Sequence, residues 1–328
     1  MKTVERLLVR APNWIGDVVL SLPALRDLRR AFPRARLEVL ARSWVAPLYA
    51  AVSGVDAVRE SRGTLADAAA LRAAHDLAVL LPNSFASAFA VWRAGIPERW
   101  GYATDARRLL LTRSCPAPRG AFGRSQVYYY RAMLEGVGLA VEGPPDASLR
   151  CPVAWSARGR ELLGEDGPWI GIGPGAFYGT AKRWPPERFA AAAGVVARRT
   201  GSRVAVVGSA AERPLAEEIS SALDVPARVL CGETTLSELA GVLSRLRLFL
   251  TNDSGPMHLA AALGVPLVAV FGSTDWRETA PRSPYARVVR EPTSCAPCLL
   301  RECPVDHRCM TRVGIDRVAA EALEVLAS

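Results

Sequence analysis

The chain has 328 residues, half of them hydrophobic and 22% charged, with 41 Lys and Arg against 32 Asp and Glu for a net charge of +9. That length suits two α/β domains of about 150 residues each, and the apolar content excludes a disordered or fibrous protein. The positive excess points to anionic partners, with a phosphate-bearing substrate, an acidic membrane surface and nucleic acid all open on charge alone.

Glu5, Arg6 and Arg10 interrupt the first apolar stretch, which leaves no secretory core segment. No apolar run approaches the ~18 residues that span a bilayer, so a cytoplasmic protein is expected. Residues 7–10 read as a strand, followed by a loop through Gly16 and a helix with Val18, Leu22, Leu25, Leu28 and Phe32 at helical spacing. Pro23 must kink that helix or sit in its first turns. Residues 37–41, 56–60 and 77–81 read as further strands with helices between and after them. Residues 102–124 are less regular and rich in arginine, and helix resumes near 128–136. The run Glu142-Gly-Pro-Pro-Asp146 stops any helix and places a domain boundary near it, giving domains 1–150 and 151–328.

The second half is a clearer alternation. Strands are expected at 169–173, 204–208, 228–231, 248–251 and 267–271, with helices at 185–199, 211–223, from Thr235 and at 255–263. Thr235-Leu-Ser-Glu238 has capping-box spacing, and Pro185, Pro186 and Glu187 suit a first helical turn. Such alternation implies a parallel sheet covered by helices on both faces. One in each half implies two Rossmann-like domains with a cleft between them and ligands at the carboxyl ends of the strands.

Three stretches carry candidate chemistry. In FLTNDSGPMHLAAALG a strand gives way to a helix beginning near Pro256, whose free N–H groups suit a phosphate. Asn252, Asp253 and Ser254 read either as a plain N-cap or as a site in which Asp253 accepts sugar hydroxyls beside a pyrophosphate. His258 reads equally as a core or capping histidine. In GIGPGAFYGTAKRWP, Gly175 and its fellow glycines let backbone approach a phosphate near Thr180, with Lys182 and Arg183 neutralising it or simply solvated. In RAPNWIGDVVLSLP, Asp17 stands where a strand gives way to a helix, as a general base or an ordinary first-turn acid. The first strand is not followed by G-x-G-x-x-G, which argues against a dehydrogenase, and no RNP-type aromatic motif supports nucleic acid as a partner. There is no Asp-x-Asp pair, so a departing diphosphate would rely on Lys, Arg and helix N-termini.

These stretches, with LPNSF, IPERWGY, NDSGPMHLAAALGVPLVAVFGSTD and CAPCLLRECPVDHRCM, resemble glycosyltransferase family 9, the heptosyltransferases of the lipopolysaccharide inner core. The AKRWP run, the NWIGD start and the cysteine-rich end are most similar to the type II members. The resemblance implies a GT-B fold, an N-terminal acceptor domain and a C-terminal ADP-heptose domain, with the last helix crossing back onto the first domain. It implies inverting transfer of L-glycero-D-manno-heptose from ADP-heptose to the first heptose of the core. Asp17 resembles the base and Lys182 the lysine on the ADP phosphates. Asp253 resembles the acid gripping the donor heptose, Ser254, Gly255 and His258 match the helix start, and Glu212 more loosely resembles a ribose acceptor.

Acceptor-side candidates are Asn13, Trp14, Asn83 and Ser84. Arg107 and Arg108 join them from the basic run that continues through Arg113, Arg119 and Arg124; a solvated loop is the other reading of that run. A lipid A/Kdo/heptose acceptor further implies peripheral contact with the inner face of the cytoplasmic membrane. The alternatives are a type I or type III transferase and a non-catalytic nucleotide-sugar-binding protein. Cys295, Cys298, Cys303 and Cys309, spaced C-x2-C-x4-C-x5-C, could hold a structural zinc ion, remain reduced or form a disulfide; no cofactor is required beyond ADP-heptose as co-substrate.

Overall fold

The computed structural model describes residues 3–118, 123–164 and 167–327. The chain forms two compact units, Met1–Ala147 and Ser148–Ser328, the break falling just after the proline-rich linker. The first unit holds strands β1 (Arg6–Arg10), β2 (Arg36–Ala41), β3 (Ala57–Glu60), β4 (Leu77–Leu80), β5 (Glu98–Tyr102) and β6 (Arg113–Cys115). Its helices are α1 (Ile15–Ala31), α2 (Ala46–Ala50), α3 (Thr64–Ala70), α4 (Phe85–Arg93) and α5 (Val127–Gly136). The second unit holds β7 (Trp169–Gly173), β8 (Arg203–Val206), β9 (Ala227–Val229), β10 (Leu248–Asn252), β11 (Leu267–Phe271) and β12 (Ala286–Arg290). Around them run α6 (Val153–Leu163), α7 (Pro186–Thr200), α8 (Arg213–Ser221), α9 (Leu236–Leu243), α10 (Gly255–Ala262), α11 (Trp276–Thr279), α12 (Arg308–Thr311) and α13 (Ile315–Ala327).

Each unit builds one six-stranded parallel sheet, in the orders β3-β2-β1-β4-β5-β6 and β12-β11-β10-β7-β8-β9. Numbered from its own first strand, each is the doubly wound order 3-2-1-4-5-6. Strands β4, β7, β10 and β11 are buried throughout, because helices cover both faces, and this is why β4, β7 and β11 read as apolar runs while β10 turns polar only at its carboxyl end. The topology fixes where ligands go. The chain leaves β1 toward β2 on one side and returns to β4 on the other, so the loops after β1 and β4 diverge and open a crevice at the strands' carboxyl ends. The loops after β7 and β10 do the same in the second unit.

In the first unit a core of Leu8, Leu40, Ala78 and Leu80 from the sheet meets Ala88 and Val91 of α4 and Ala94 at its C-cap. On α1, Pro23 lies inside the helix rather than in its first turns. Buried Asp27 of α1 takes Nε of Arg131 at 2.7 Å, and Arg131 also donates to Gly143 O and Glu142 O, so one buried guanidinium fastens α5 to α1 and anchors the linker. In the second unit Ile170, Ile172, Leu248, Leu250, Val268 and Val270 form the central core. Val318, Ala319, Ala322 and Val325 of α13 are part of that same core. The apolar face of the last helix thus packs within its own unit.

Candidate functional site

At the first switch point β1 ends at Arg10 and the chain turns through four residues into α1, with Asp17 in the helix's first turn. The turn is built from beneath. Arg10 is buried and donates through Nη1 to Ala11 O at 2.7 Å and to Leu40 O at 3.1 Å, and through Nη2 to Asn13 Oδ1 at 3.3 Å. Asn13 therefore shapes the loop as well as lining it. Trp14 stands 55% exposed at the N-cap, and Trp44, equally exposed, pins its indole N–H to Asn13 O at 2.8 Å. With that N–H engaged, Trp44 can offer a ligand only its aromatic face, a surface suited to the C–H face of a sugar.

Burial raises the pKa of Asp17 above the ordinary carboxylate range, opposed by a hydrogen bond from the Tyr130 hydroxyl of α5. Burial likewise pushes the Tyr130 and Tyr49 hydroxyls up, so both stay neutral beside the acid. Tyr49 meets Ser21, one turn on from Asp17 in α1, at 3.3 Å. A lone, desolvated carboxylate held by a neutral donor is matched to accepting a proton from an alcohol.

The loop after β4 forms the other lip. Asn83 Nδ2 donates to the Tyr129 hydroxyl at 2.6 Å, Asn83 O accepts from Thr104 Oγ1 at 2.8 Å, and Ser84 caps α4 by accepting from Ser87 N at 3.4 Å. Arg107 departs from the expectation of an anion-binding arginine. It is fully buried and donates to Tyr102 O at 2.9 Å, Ser84 O at 3.3 Å, Ser87 Oγ at 3.0 Å and Pro82 O, while burial pulls its pKa down to about 10. It braces the Asn83–Ser84 loop from inside, adding its donors to those that Asn83 O takes from Thr104 and Ser84 O takes from Ser87. Arg108 is exposed and makes no ion pair among the described residues. Arg113 stacks on Trp100 at 5.0 Å, Arg124 stacks on Tyr128 at 5.2 Å, and Arg119 lies outside the described residues. Arg107→Ala takes a donor from three carbonyls and from Ser87 Oγ and should lower unfolding free energy by about 2–4 kcal/mol. Urea denaturation tests this, and a loss below about 0.5 kcal/mol would remove the bracing role.

The second switch point gathers the other motifs. Lys182 Nζ lies 2.7 Å from Asp253 Oδ2, bridging the loop after β7 to the loop after β10. The same oxygen accepts from Thr274 Oγ1 at 2.7 Å and Thr279 Oγ1 at 3.3 Å, from the segment following β11. Asn252 stitches the two loops below this pair, accepting from Trp184 N at 2.9 Å and donating to Pro174 O at 2.7 Å. Ser254 occupies the N-cap position of α10 without a side-chain capping bond, and Gly255 and Pro256 open the helix. Its first amides follow directly on Asp253, at the end of the helix that carries the positive dipole.

His258 is buried one turn in, and burial drops its pKa to about 4, with Asp253 opposing and Lys182 reinforcing the shift. It is a neutral imidazole, and its Nδ1 has no hydrogen-bond partner among the described residues. Arg183 follows Lys182 with its Nε buried and unpartnered, while Thr180 is exposed. Glu212 belongs to the neighbourhood of Gly175: a Cβ on Gly175 would fall 1.6 Å from Glu212 Oε1, so only glycine fits beside that carboxylate. Its Oε2 accepts from Ser209 N at 2.7 Å in a capping box.

The cysteine-rich segment straps this loop in place. Arg301 O accepts from Ala181 N at 2.9 Å, Leu299 O accepts from the Tyr178 hydroxyl at 3.0 Å, and His307 Nε2 lies 2.9 Å from Ala181 O. A Cβ on Gly179 would sit 2.1 Å from Arg301 O, so the two backbones are in direct contact. The cations of Lys182 and Arg301 lie 5.3 and 5.2 Å from the centroid of the Tyr178 ring. Of the three readings of the cysteine cluster, the structure has the reduced one. All seven cysteines are free thiols, Cys295 and Cys303 point to solvent while Cys309 is buried, and among the described residues no three His, Cys, Asp or Glu side chains are arranged to hold a metal ion. Burial, with the neighbouring Cys295, Cys298 and Cys303, pushes the Cys309 thiol up to about 11.

Sequence reading missed Tyr130, Trp44, Thr274 and Thr279. Thr274 alone had a local signal, standing in the GSTD run at the carboxyl end of a strand beside β10.

The sequence profile of glycosyltransferase family 9 (heptosyltransferase) matches residues 65–308. The chain is similar to lipopolysaccharide heptosyltransferase 2 of Salmonella typhimurium, 33% identical with 87% of this chain and 88% of the relative covered. It is similar to lipooligosaccharide heptosyltransferase 2 of Haemophilus influenzae at 32% with the same coverage. Among solved structures, ADP-heptose lipopolysaccharide heptosyltransferase II of Escherichia coli superposes with a TM-score of 0.87 at 30% identity, covering 98% of each chain. The two doubly wound units are therefore those of a GT-B glycosyltransferase, and the chain belongs to glycosyltransferase family 9, the heptosyltransferases.

Proposed function

We propose that this glycosyltransferase moves L-glycero-D-manno-heptose from ADP-heptose to the first heptose of the lipopolysaccharide inner core, with inversion at the anomeric carbon. The observation that carries the reading is Asp17, a single carboxylate desolvated at the first unit's switch point and held by Tyr130. It removes the proton from the acceptor hydroxyl as that oxygen bonds to the anomeric carbon and the bond to the ADP oxygen breaks, the electron pair leaving with ADP. Asn13, Trp14, Asn83 and Ser84 line the acceptor side of that crevice, and Arg108 supplies exposed positive charge near it.

In the second unit Lys182, Arg183, Thr180 and the first amides of α10 at Ser254 and Gly255 receive the diphosphate, and neutral His258 donates rather than attracts. Asp253 exchanges part of its present hydrogen bonding for a heptose hydroxyl, and Gly175 and Glu212 sit where the ribose is recognised. The developing charge on ADP is met by these cations and amides, in keeping with a sequence that has no Asp-x-Asp pair. Similarity to two type 2 relatives above 30% identity, against 26% for a type 3 enzyme of Escherichia coli, supports type II.

ADP release with matched ADP-heptose and core acceptors tests the proposal. Release that requires an acceptor already bearing one heptose is expected. Release with the heptose-free acceptor would shift the reading to type I, and none with any acceptor would leave a binding protein.

A further inference from the structure

One apolar surface has no use in the transfer chemistry. On α4, Phe85, Phe89 and Trp92 recur at i, i+4 and i+7, with ring centroids 6.0 Å apart between the first two and 5.7 Å between the last two. Phe85 is 43% and Trp92 46% exposed, so this is a row of stacked aromatics turned outward rather than a core face. The 3₁₀ turn Arg107–Leu110 packs beside α4 and adds Leu109, 92% exposed. The polar edge is positive. Arg93 ends α4 and Arg108 precedes Leu109; both are exposed and neither makes an ion pair among the described residues. The two acids of this region are engaged, Asp105 by Phe85 N and Glu98 by Trp100 Nε1 and Thr112 Oγ1.

We propose that the α4 stripe with Leu109, Arg93 and Arg108 is the surface by which the first unit rests on an anionic lipid bilayer. An aromatic and aliphatic row flanked by unpaired arginines fits the headgroup boundary, where rings enter the interface and guanidinium groups meet lipid phosphates. No helix among the described residues is long and apolar enough to cross a membrane, so the contact is peripheral. A second copy of the chain is a poorer occupant. The exposed apolar area of these side chains is on the order of 400 Å², about half of what one partner of a stable dimer covers, and two such faces would bring four arginines together. The inference rests on the proposed lipid-borne acceptor and shares Arg108 with its acceptor side, whereas Trp92 and Leu109 belong to neither the donor nor the acceptor residues.

Cosedimentation of the full chain with phosphatidylcholine vesicles, with and without phosphatidylglycerol, tests it. Wild type should bind the anionic vesicles more tightly, and added salt should weaken that binding. Trp92→Ser with Leu109→Ser should reduce it by about tenfold or more while ADP release with a delipidated, water-soluble acceptor stays unchanged. Equal vesicle binding by wild type and variant would overturn the proposal, as would a wild-type dimer that the two substitutions dissolve. Vesicle binding that persists in a protein with no ADP release on any acceptor would instead count against the transfer reading and leave this surface standing.

Discussion

Asp17→Asn should lower turnover by roughly 10²–10⁴-fold, the share of a rate that a positioned general base supplies. The amide keeps the shape and can still pair with Tyr130, so the fold and the donor site should be untouched. Stability should move the other way. The folded-state pKa of Asp17 is raised by burial, so its contribution to stability is full below the unfolded pKa and is lost as pH rises through the folded one. At neutral pH the wild type carries a desolvated charge that the variant lacks, and thermal melts at pH 7 should show the inactive variant at least as stable. Tyr130→Phe probes the same carboxylate. The Tyr130 hydrogen bond lowers the pKa of Asp17, so removing it should raise that pKa and move the acid limb of kcat/KM to higher pH. An acid limb that stays in place in Tyr130→Phe would separate the tyrosine from the base, and near-normal turnover in Asp17→Asn would remove the base itself.

Lys182→Ala should reduce kcat/KM for the donor by about 10²–10³-fold, the typical cost of deleting one charge aimed at a developing anion. The substitution also leaves Asp253, whose side chain is 5% exposed, with Thr274 and Thr279 as its remaining donors. An acid deprived of its cation in that setting should cost about 1–3 kcal/mol of stability, which by itself could depress activity. Combining Lys182→Ala with Asp253→Asn removes the stranded charge. The double variant should regain stability in urea yet still fail to bind ADP-heptose. Wild-type donor KM in that double variant would show that the pair holds the fold together and does nothing for the donor.

Local chemistry made much of the second unit legible. Strands β7 and β11 are apolar runs and β10 begins as one, and capping signals mark the starts of α7, α9 and α10. Strands β5, β6 and β12 escaped because Glu98, Arg99, Arg113, Ser114, Arg287 and Arg290 break any apolar pattern, while α6 buries only Gly159 and Leu163. The candidate site followed the same division. Asp17, Lys182 and Asp253 sit where a strand gives way to a loop or helix, a place visible in sequence, and the structure puts each at a switch point. Tyr130 reaches Asp17 from a helix more than a hundred residues away, and Thr274 and Thr279 reach Asp253 only because β11 pairs with β10. Arg107 shows the opposite limit. A basic run reads as surface charge, whereas a cage of backbone carbonyls that encloses one guanidinium exists only after the loops have packed.

Titration calorimetry of ADP-heptose into Asp17→Asn and Lys182→Ala, side by side with wild type, tests the division of labour most directly. Donor affinity in Asp17→Asn should match wild type although turnover has collapsed, and affinity in Lys182→Ala should fall at least tenfold. Loss of donor binding in Asp17→Asn, or its retention in Lys182→Ala, would contradict the account.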